Sequence, residues 1–305
     1  MDEIKVFAPA TVANVVCGFD CLGFALEGPC DEMTVRRRPE PGIKITHNDD
    51  FGLSADPSKN VAGVALQALL EAAELDHGFE VEITKHIKPG SGIGSSAASA
   101  CGAVAAANHL LGSAYSNLAL VQFAMAGEMV ASGSRHADNL APCIYGGFTL
   151  VRSSRPLDIV PLGTPDLFVT IVHPQIEIKT SEARAMLPRE VPLERAVTNW
   201  SNLGAFVAGL TRGDHELISR SMIDTIIEPA RKSLIPNFDE VKATCLATGA
   251  LGAGISGSGP SIFALSSDEN TAREVELVMQ DIYSQADVIF KTYVSKIDGR
   301  GVRTA

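Results

Sequence analysis

Three glycines at alternate positions, Gly90, Gly92 and Gly94, stand directly before two hydroxyls, Ser95 and Ser96, and an alanine-rich run that reaches Asn108. Glycine tolerates positive φ and lets a ligand come close to the backbone, and alanine is the best helix former. The stretch from Lys88 to Asn108 therefore reads as a glycine loop opening a helix. The first N–H groups of a helix lack internal partners and sit at the positive end of its dipole, so such a junction attracts anions, phosphate above all. The same residues also suit a plain turn in which Ser95 or Ser96 caps a buried helix. Neither common phosphate loop fits. A Gly-Lys-Ser/Thr ending is missing, because no lysine occurs between Lys88 and Lys179. The dinucleotide pattern Gly-x-Gly-x-x-Gly fails because these glycines are one residue too tight and no acid follows before Glu128.

Other chemistry-bearing residues lie far from this loop in sequence. Glu128 is the first acid after Glu82 and falls near the end of an apolar helical segment, Asn117 to Ser132. A buried glutamate needs a cation or donor, and a magnesium ion shared with a phosphate would supply one; a solvent-facing position is the other reading. Asn14 and Asp20 are polar in an apolar stretch whose Gly18 and Gly23 permit turns. Buried, they need partners, either within their own loop or on a polar ligand. Gly254 to Gly259 forms a second Gly/Ser loop. Two such loops in one chain suit a phosphate site between two lobes, though each alone could be an ordinary tight turn.

The elements that must position these residues follow from apolar spacing. Ile4 to Ala8 alternates as a strand and is expected to stop at Pro9, which lacks an N–H. Asp31 to Arg38 and Gly42 to Thr46 read as two strands of a meander around the turn Pro39-Glu40-Pro41-Gly42. Val61 to Leu75 has helical spacing, and Phe79 to Thr84 alternates and delivers the chain into the glycine loop. Gly133-Ser134-Arg135-His136-Ala137-Asp138-Asn139 follows the Asn117 helix, and Tyr145 to Val151 reads as a strand. Composition turns more charged after Arg152, and a strand starts at Leu167, which places the domain boundary between Val151 and Asp166: residues 1–158 and 159–305 form the two units. The second carries helices over Leu193 to Thr211 and His215 to Ile227 and a strand over Ser261 to Leu265. Interleaved helix and strand without glycine-rich linkers point to an α+β fold.

Bulk properties exclude several classes. A chain of 305 residues with 46% hydrophobic and 20% charged residues is a globular protein long enough for two cores. Its net charge of −11 has Arg36-Arg37-Arg38 as the only basic run, so nucleic acid is a poor partner. The start, Met1-Asp2-Glu3-Ile4-Lys5, is not a signal peptide. Pro89 to Gly127 holds no Asp, Glu, Lys or Arg, yet it is alanine, glycine and serine rather than leucine, and so reads as a buried helix rather than a membrane span. Six cysteines without C-x-x-C spacing suit reduced thiols and a cytoplasmic setting.

Three stretches stand in the order and spacing of one family. Ala8-Pro9-Ala10-Thr11-Val12-Ala13-Asn14, Pro89-Gly90-Ser91-Gly92-Ile93-Gly94-Ser95-Ser96-Ala97-Ala98 and Gly254-Ile255-Ser256-Gly257-Ser258-Gly259-Pro260-Ser261 resemble the three motifs of the GHMP small-molecule kinases. Within that family Asn14, Gly18-Phe19-Asp20, His136-Ala137-Asp138-Asn139 and Thr180-Ser181-Glu182-Ala183-Arg184 are similar to the members that use L-homoserine. The resemblance implies a two-lobed α+β architecture, an N-terminal lobe like ribosomal protein S5 domain 2 and a ferredoxin-like C-terminal lobe. It implies transfer of the ATP γ-phosphoryl to the side-chain hydroxyl of L-homoserine, on the route to threonine, and is compatible with a homodimer. By motif position Pro89, Gly90, Ser91, Gly92, Ile93, Gly94, Ser95, Ser96, Ala97 and Ala98 would wrap the triphosphate, with Asn60 near the adenine. Ser96 and Glu128 would hold Mg²⁺, and Asn14, Asp20, His136, Asn139, Arg184 and Arg231 would line the acceptor site.

The residue types suit that chemistry. A zwitterion needs a carboxylate such as Asp20 for its ammonium and arginines such as Arg184 and Arg231 for its carboxylate. Phosphoryl transfer is mainly positioning and charge stabilisation. A kinase for another small alcohol, mevalonate-like or sugar, and a non-catalytic metabolite sensor remain alternative readings; retention of Ser96 and Glu128 argues against the sensor. Where mevalonate-type members carry a catalytic aspartate, Asn139 stands here, and an amide cannot act as a base. His136 is the weaker candidate, a neutral donor that orients substrate. Accordingly His136→Ala is expected to lower kcat by much less than about a thousandfold; steady-state kinetics, with Asn139→Asp alongside, check this, and a loss that large at unchanged KM contradicts it.

Overall fold

Apolar alternation builds the first sheet, and a parallel crossover sets its order. The computed structural model describes residues 2–133, 135–178 and 180–305; Ser134 and Lys179 lie outside the described residues. Strand β1 (Glu3–Ala13) pairs antiparallel with the long β2 (Leu22–Arg38). Then come β3 (Ile43–His47), helix α1 (Val61–Ala73) and β4 (Gly78–Thr84). A strand that follows a helical crossover returns parallel to the strand before it. So β4 pairs parallel with β3 and lies between it and β2, which corrects the expected meander.

Further along run α2 (Ser95–Leu110), α3 (Asn117–Ser132), the short α4 (Leu140–Tyr145), β5 (Phe148–Ser154) and β6 (Leu157–Gly163). Tyr145 thus ends a helix instead of starting a strand, and β5 pairs with both β2 and β6. Helix α2 packs on β1 and β2 with α1 and α3 beside it. All its alanines but the half-buried Ala105 are buried, so it lies closer to the sheet than a leucine-faced helix could.

A second sheet holds β7 (Phe168–Pro174), β8 (Gly252–Ile255), β9 (Ile262–Ser266) and β10 (Phe290–Lys296), all antiparallel in the order β10-β7-β9-β8. Between β7 and β8 come α5 (Thr180–Ala185), α6 (Leu193–Arg212), α7 (His215–Ser221), α8 (Ile227–Arg231) and α9 (Phe238–Ala247). Helix α10 (Glu269–Ser284) covers the sheet with α9, and β11 (Arg303–Thr304) returns to β1 at the edge of the first sheet. Among the described residues no helix is long and apolar enough to cross a membrane, and the six cysteines are free thiols.

Two further expectations are corrected. Strand β1 does not stop at Pro9: it runs on to Ala13, and the register shifts between Pro9 and Thr11, so the missing N–H falls at a bulge. His215 to Ile227 is not one helix. The Asp224 carboxylate accepts the amides of Ile226 (2.8 Å), Ile227 (3.0 Å) and Glu228 (2.7 Å), which starts α8 on a new axis after α7 has ended. Apolar spacing carries on through the break, so it leaves no mark in the pattern.

One buried ion pair ties the first sheet to the glycine loop. Asp31 on β2 and Lys85 just beyond β4 form it with side chains 0% and 1% exposed. The second Asp31 oxygen accepts the amides of His86 (2.8 Å) and Ile87 (2.9 Å). The Lys85 ammonium also donates to the Ser95 carbonyl (3.0 Å) and the Ser99 hydroxyl (2.8 Å) on α2. Stranding one charge of such a pair is expensive, so Lys85→Met is expected to destabilise the fold by about 3–5 kcal/mol. Adding Asp31→Asn neutralises the stranded carboxylate while keeping an acceptor for the two amides, and is expected to restore about 1 kcal/mol or more. Chemical denaturation of the single and double variants checks this; a further loss in the double variant contradicts it.

Candidate active site

The glycine loop takes its shape from φ values that only glycine adopts freely. Gly90, Gly92 and Gly94 lie at φ 74°, 82° and 73°. At Gly92 an added Cβ would sit 2.5 Å from the Gly259 carbonyl oxygen, and at Gly94 only 2.0 Å from the Thr11 hydroxyl. Gly94, not Ser95 or Ser96, is the residue that precedes the first turn of α2, and no side chain caps that turn. The Ser95 hydroxyl donates instead to the Ile87 carbonyl (2.8 Å). The leading amides of α2 are thus not consumed by a cap, as an anion site requires.

The second Gly/Ser loop braces the first. Ser256 donates its hydroxyl to the Gly92 carbonyl (2.8 Å), and Ser261 donates to the Ser91 carbonyl (2.6 Å). Those carbonyls are turned back into protein, and the loop lines a cavity of about 560 Å³. Gly257 and Ser258 reach the same cavity. Pro89, Gly90, Ser91, Gly92, Gly94, Ser95 and Ser96 line it, whereas the side chains of Ile93, Ala97 and Ala98 pack in the core. The Ala98 amide is used within the helix, donating to the Gly94 carbonyl (2.9 Å).

On the same wall the Ser96 hydroxyl donates to Glu128 Oε2 (3.0 Å), joining the start of α2 to the far end of α3. One hydroxyl and one carboxylate form a donor set suited to Mg²⁺, which keeps water and phosphate among its ligands. Among the described residues no group of three or more His, Cys, Asp or Glu side chains could hold a metal alone. Asn60 lies at another edge of the cavity, but its amide is engaged. Its oxygen accepts the amides of Ala62 (2.9 Å) and Gly63 (3.4 Å) at the start of α1, and its nitrogen lies 2.7 Å from the Ser54 carbonyl and 3.0 Å from His47 Nε2.

Another part of the cavity lining collects charge. Asp20 takes Arg184 Nη2 at 2.9 and 3.1 Å, with His136 Nδ1 at 3.6 Å. Asn14 holds the loop between: its nitrogen donates to the Gly257 carbonyl (2.6 Å) and its oxygen accepts the Asp20 amide (3.0 Å). Asn14, Val15, Val16 and Asp20 all lie at positive φ, between 40° and 72°. For β-branched valines this is strained backbone, kept in place by such ties. Arg231 is buried, donates to the carbonyls of Ala183 (3.1 Å) and Gly257 (3.4 Å), and makes no ion pair among the described residues. The Phe19 ring lies 5.1 Å from its guanidinium and 5.5 Å from that of Arg184.

Burial tunes the neighbouring titratable groups. It pushes the His136 imidazole below its ordinary range, against the pull of Asp20. Burial, with the Asp20 charge second, raises the Asp138 carboxyl to about 7. Burial and the charge of Arg184 lower Arg231. Asn139 cannot titrate; its oxygen accepts the Thr11 hydroxyl (2.8 Å), leaving its NH₂ to donate.

All the residues assigned from sequence to the acceptor end and the metal reach one cavity. Sequence reasoning gave no role to Lys85, His47, Phe19, Asp138 or Thr11. Phe19, Asp138 and Thr11 stand inside motifs, so their positions were visible though their contacts were not. Lys85 follows the last residue of an apolar strand, the one local sign of a buried charge; His47 carries no signal.

Two family models match the chain: GHMP kinases N terminal domain over residues 60–147, and GHMP kinases C terminal over residues 206–285. The "Homoserine kinase" of Chlorobium phaeobacteroides is 44% identical over 318 residues, covering 99% of each chain. That of Chloroherpeton thalassium is 46% identical over 296 residues, covering 93% of each. A crystal structure of homoserine kinase from Cytophaga hutchinsonii superposes with a TM-score of 0.96 at 48% identity, covering 100% of this chain and 98% of that one. The chain belongs to the GHMP kinases, and among them to the homoserine kinase family.

The raised Asp138 carboxyl sets a pH dependence. With its folded value at about 7 against 3.8 in an unfolded chain, the native state favours the protonated form. The cost of ionising it is absent below about pH 4 and complete above about pH 7. Asp138→Asn removes that cost, so its stability relative to the parent is expected to rise between pH 4 and 7, by up to roughly 4 kcal/mol. Denaturation of both proteins at pH 4, 5.5 and 8 checks this, and a pH-independent difference contradicts it.

Proposed function

We propose that this chain transfers the γ-phosphoryl of ATP to the side-chain hydroxyl of L-homoserine, giving O-phospho-L-homoserine and ADP. One observation carries the reading: a single cavity is lined both by the glycine loop with the Ser96–Glu128 pair and by a carboxylate with two arginines. Residues 1–158 would then supply the ATP-binding lobe with Asn14, Asp20, His136 and Asn139, and residues 159–305 would supply Arg184 and Arg231. A homodimer belongs to the same proposal, and exposed Leu193, Val197 and Trp200 on one face of α6 are an apolar surface it would cover.

In this reading the glycine loop from Gly90 to Gly94 and the leading amides of α2 hold the triphosphate. Ser96 and Glu128 hold Mg²⁺, which when bound neutralises charge on the phosphate oxygens. Asn60 shapes the nucleoside pocket as a cap of α1, because its amide is engaged there. Asp20 takes the substrate ammonium, and Arg184 and Arg231 take its carboxylate, which aims the hydroxyl back toward the loop. Asn14 and Asp138 hold the walls of this pocket. The Asn139 NH₂ orients the hydroxyl, with neutral His136 beside it; neither is a strong base. The transition state of phosphoryl transfer is loose and draws little on proton removal, so positioned donors suffice.

Arg231 supports an amino-acid acceptor over a neutral sugar, since this buried cation, held by two carbonyls and the Phe19 ring, makes no ion pair among the described residues. ADP release measured with L-homoserine, mevalonate and sugars tests the reading, and no turnover with L-homoserine overturns it. Arg231→Met is expected to raise the KM for L-homoserine by about 100-fold with little change in that for ATP.

A further inference from the structure

Arg231 is the last residue of α8, a helix of five residues, too short to hold its own direction. Its start is set by the buried Asp224, whose two carboxylate oxygens accept the amides of Ile226, Ile227 and Glu228. One side chain thus takes the donors that open the helix. Asp224 is itself fixed from α6, where Asn199 donates its Nδ2 to the carboxylate (3.3 Å). The Asn199 oxygen accepts the amide (3.0 Å) and hydroxyl (3.1 Å) of Thr225, and Asn202 donates to the Ile223 carbonyl (3.1 Å). Residues three apart share a helix face, so one face of α6 grips the connector that leads into α8. At the other end of α8 the guanidinium has no space to retreat. A cavity of about 20 Å³ lies behind it, lined also by Asp224 and Glu228, with room for about one water and none for a guanidinium.

We infer that Asp224, fixed to α6 by Asn199, is a positioning residue for the acceptor, aiming Arg231 by setting the axis of α8. This rests on the proposed function and deepens it, because it extends the control of acceptor affinity to two residues that do not line the large cavity. Their effect passes through one guanidinium. A misplacement of about 1 Å caused far from the chemistry can cost about 100-fold, so a tilt of α8 is enough. The Glu228–Lys242 ion pair also ties α8, to α9, but at a single point about which the helix turns once its cap is gone. Loss of the cap therefore misdirects Arg231 without freeing the helix. The glycine loop is braced separately, by Ser256 and Ser261, so ATP binding does not share the effect.

The test measures kcat and the KM for L-homoserine and for ATP in the parent, Asp224→Ala, Asp224→Asn and Asn199→Ala, and in Asp224→Ala made on Arg231→Met. Turnover of L-homoserine by the parent is the control for the proposed function. Asp224→Ala is expected to raise the KM for L-homoserine by about 10-fold or more, with the KM for ATP within about twofold. Asparagine caps a helix about as well as aspartate, so Asp224→Asn is expected to recover most of that loss. Asn199→Ala is expected to raise the same KM alone, by about fivefold, and decides the matter by itself if Asp224→Ala does not fold. On Arg231→Met, where nothing is left to aim, adding Asp224→Ala is expected to change the KM for L-homoserine by less than about twofold. A parallel rise in the KM for ATP, an unchanged KM for L-homoserine in Asn199→Ala, or a full further loss on Arg231→Met overturns the inference even when the parent phosphorylates L-homoserine.

Discussion

The active site hangs on the buried contact between Lys85 and Asp31. It joins β2, the exit of β4 and the first turn of α2 through one ammonium and one carboxylate with almost no exposure. A charge at that depth is tolerable only when its partner and its remaining hydrogen bonds are all in place. The contact therefore allows one arrangement of the strand exit relative to the helix, and the glycine loop is the segment stretched between them. Flexible glycines supply the conformations, and the ion pair selects among them.

The loop solves a difficulty posed by an acidic chain. With a net charge of −11, attraction for a polyphosphate must be local. Here the backbone can supply it: glycines at positive φ turn carbonyls into the grip of Ser256 and Ser261, and the start of α2, capped by no side chain, lines the cavity. The second Gly/Ser loop is thus the brace of the first. Because that brace comes from the second sheet's end of the chain, the anion loop exists in working form only when both sheets are assembled.

At the acceptor end the same economy of charge operates through pairing. Burial drives the His136 imidazole toward its neutral form and lifts the Asp138 carboxyl to about 7, so burial sets the protonation of both. Asn139, tied to Thr11, is fixed in orientation as well as in chemistry. A reaction that depends on alignment and charge neutralisation is served by such groups. The strained run from Asn14 to Val16 follows from the same demand, since it brings Asp20 round to Arg184.

What the sequence determined by itself was local. The glycine spacing, the alanine helix behind it and the alternating strand before it are set by backbone freedom, propensity and period, properties of neighbouring residues. The two Gly/Ser loops, Glu128 and the motif order were legible for the same reason. Tertiary structure decided everything that joins distant residues. Asp20 meets Arg184 across 164 positions, Ser261 meets Ser91 across 170, and Lys85 meets Asp31 across 54, and no local pattern encodes such partners. The placement of β4 between β2 and β3, the break after α7 and the bulge at Pro9 belong to the same class. Each is settled by pairing or capping groups that lie outside the segment's own apolar period.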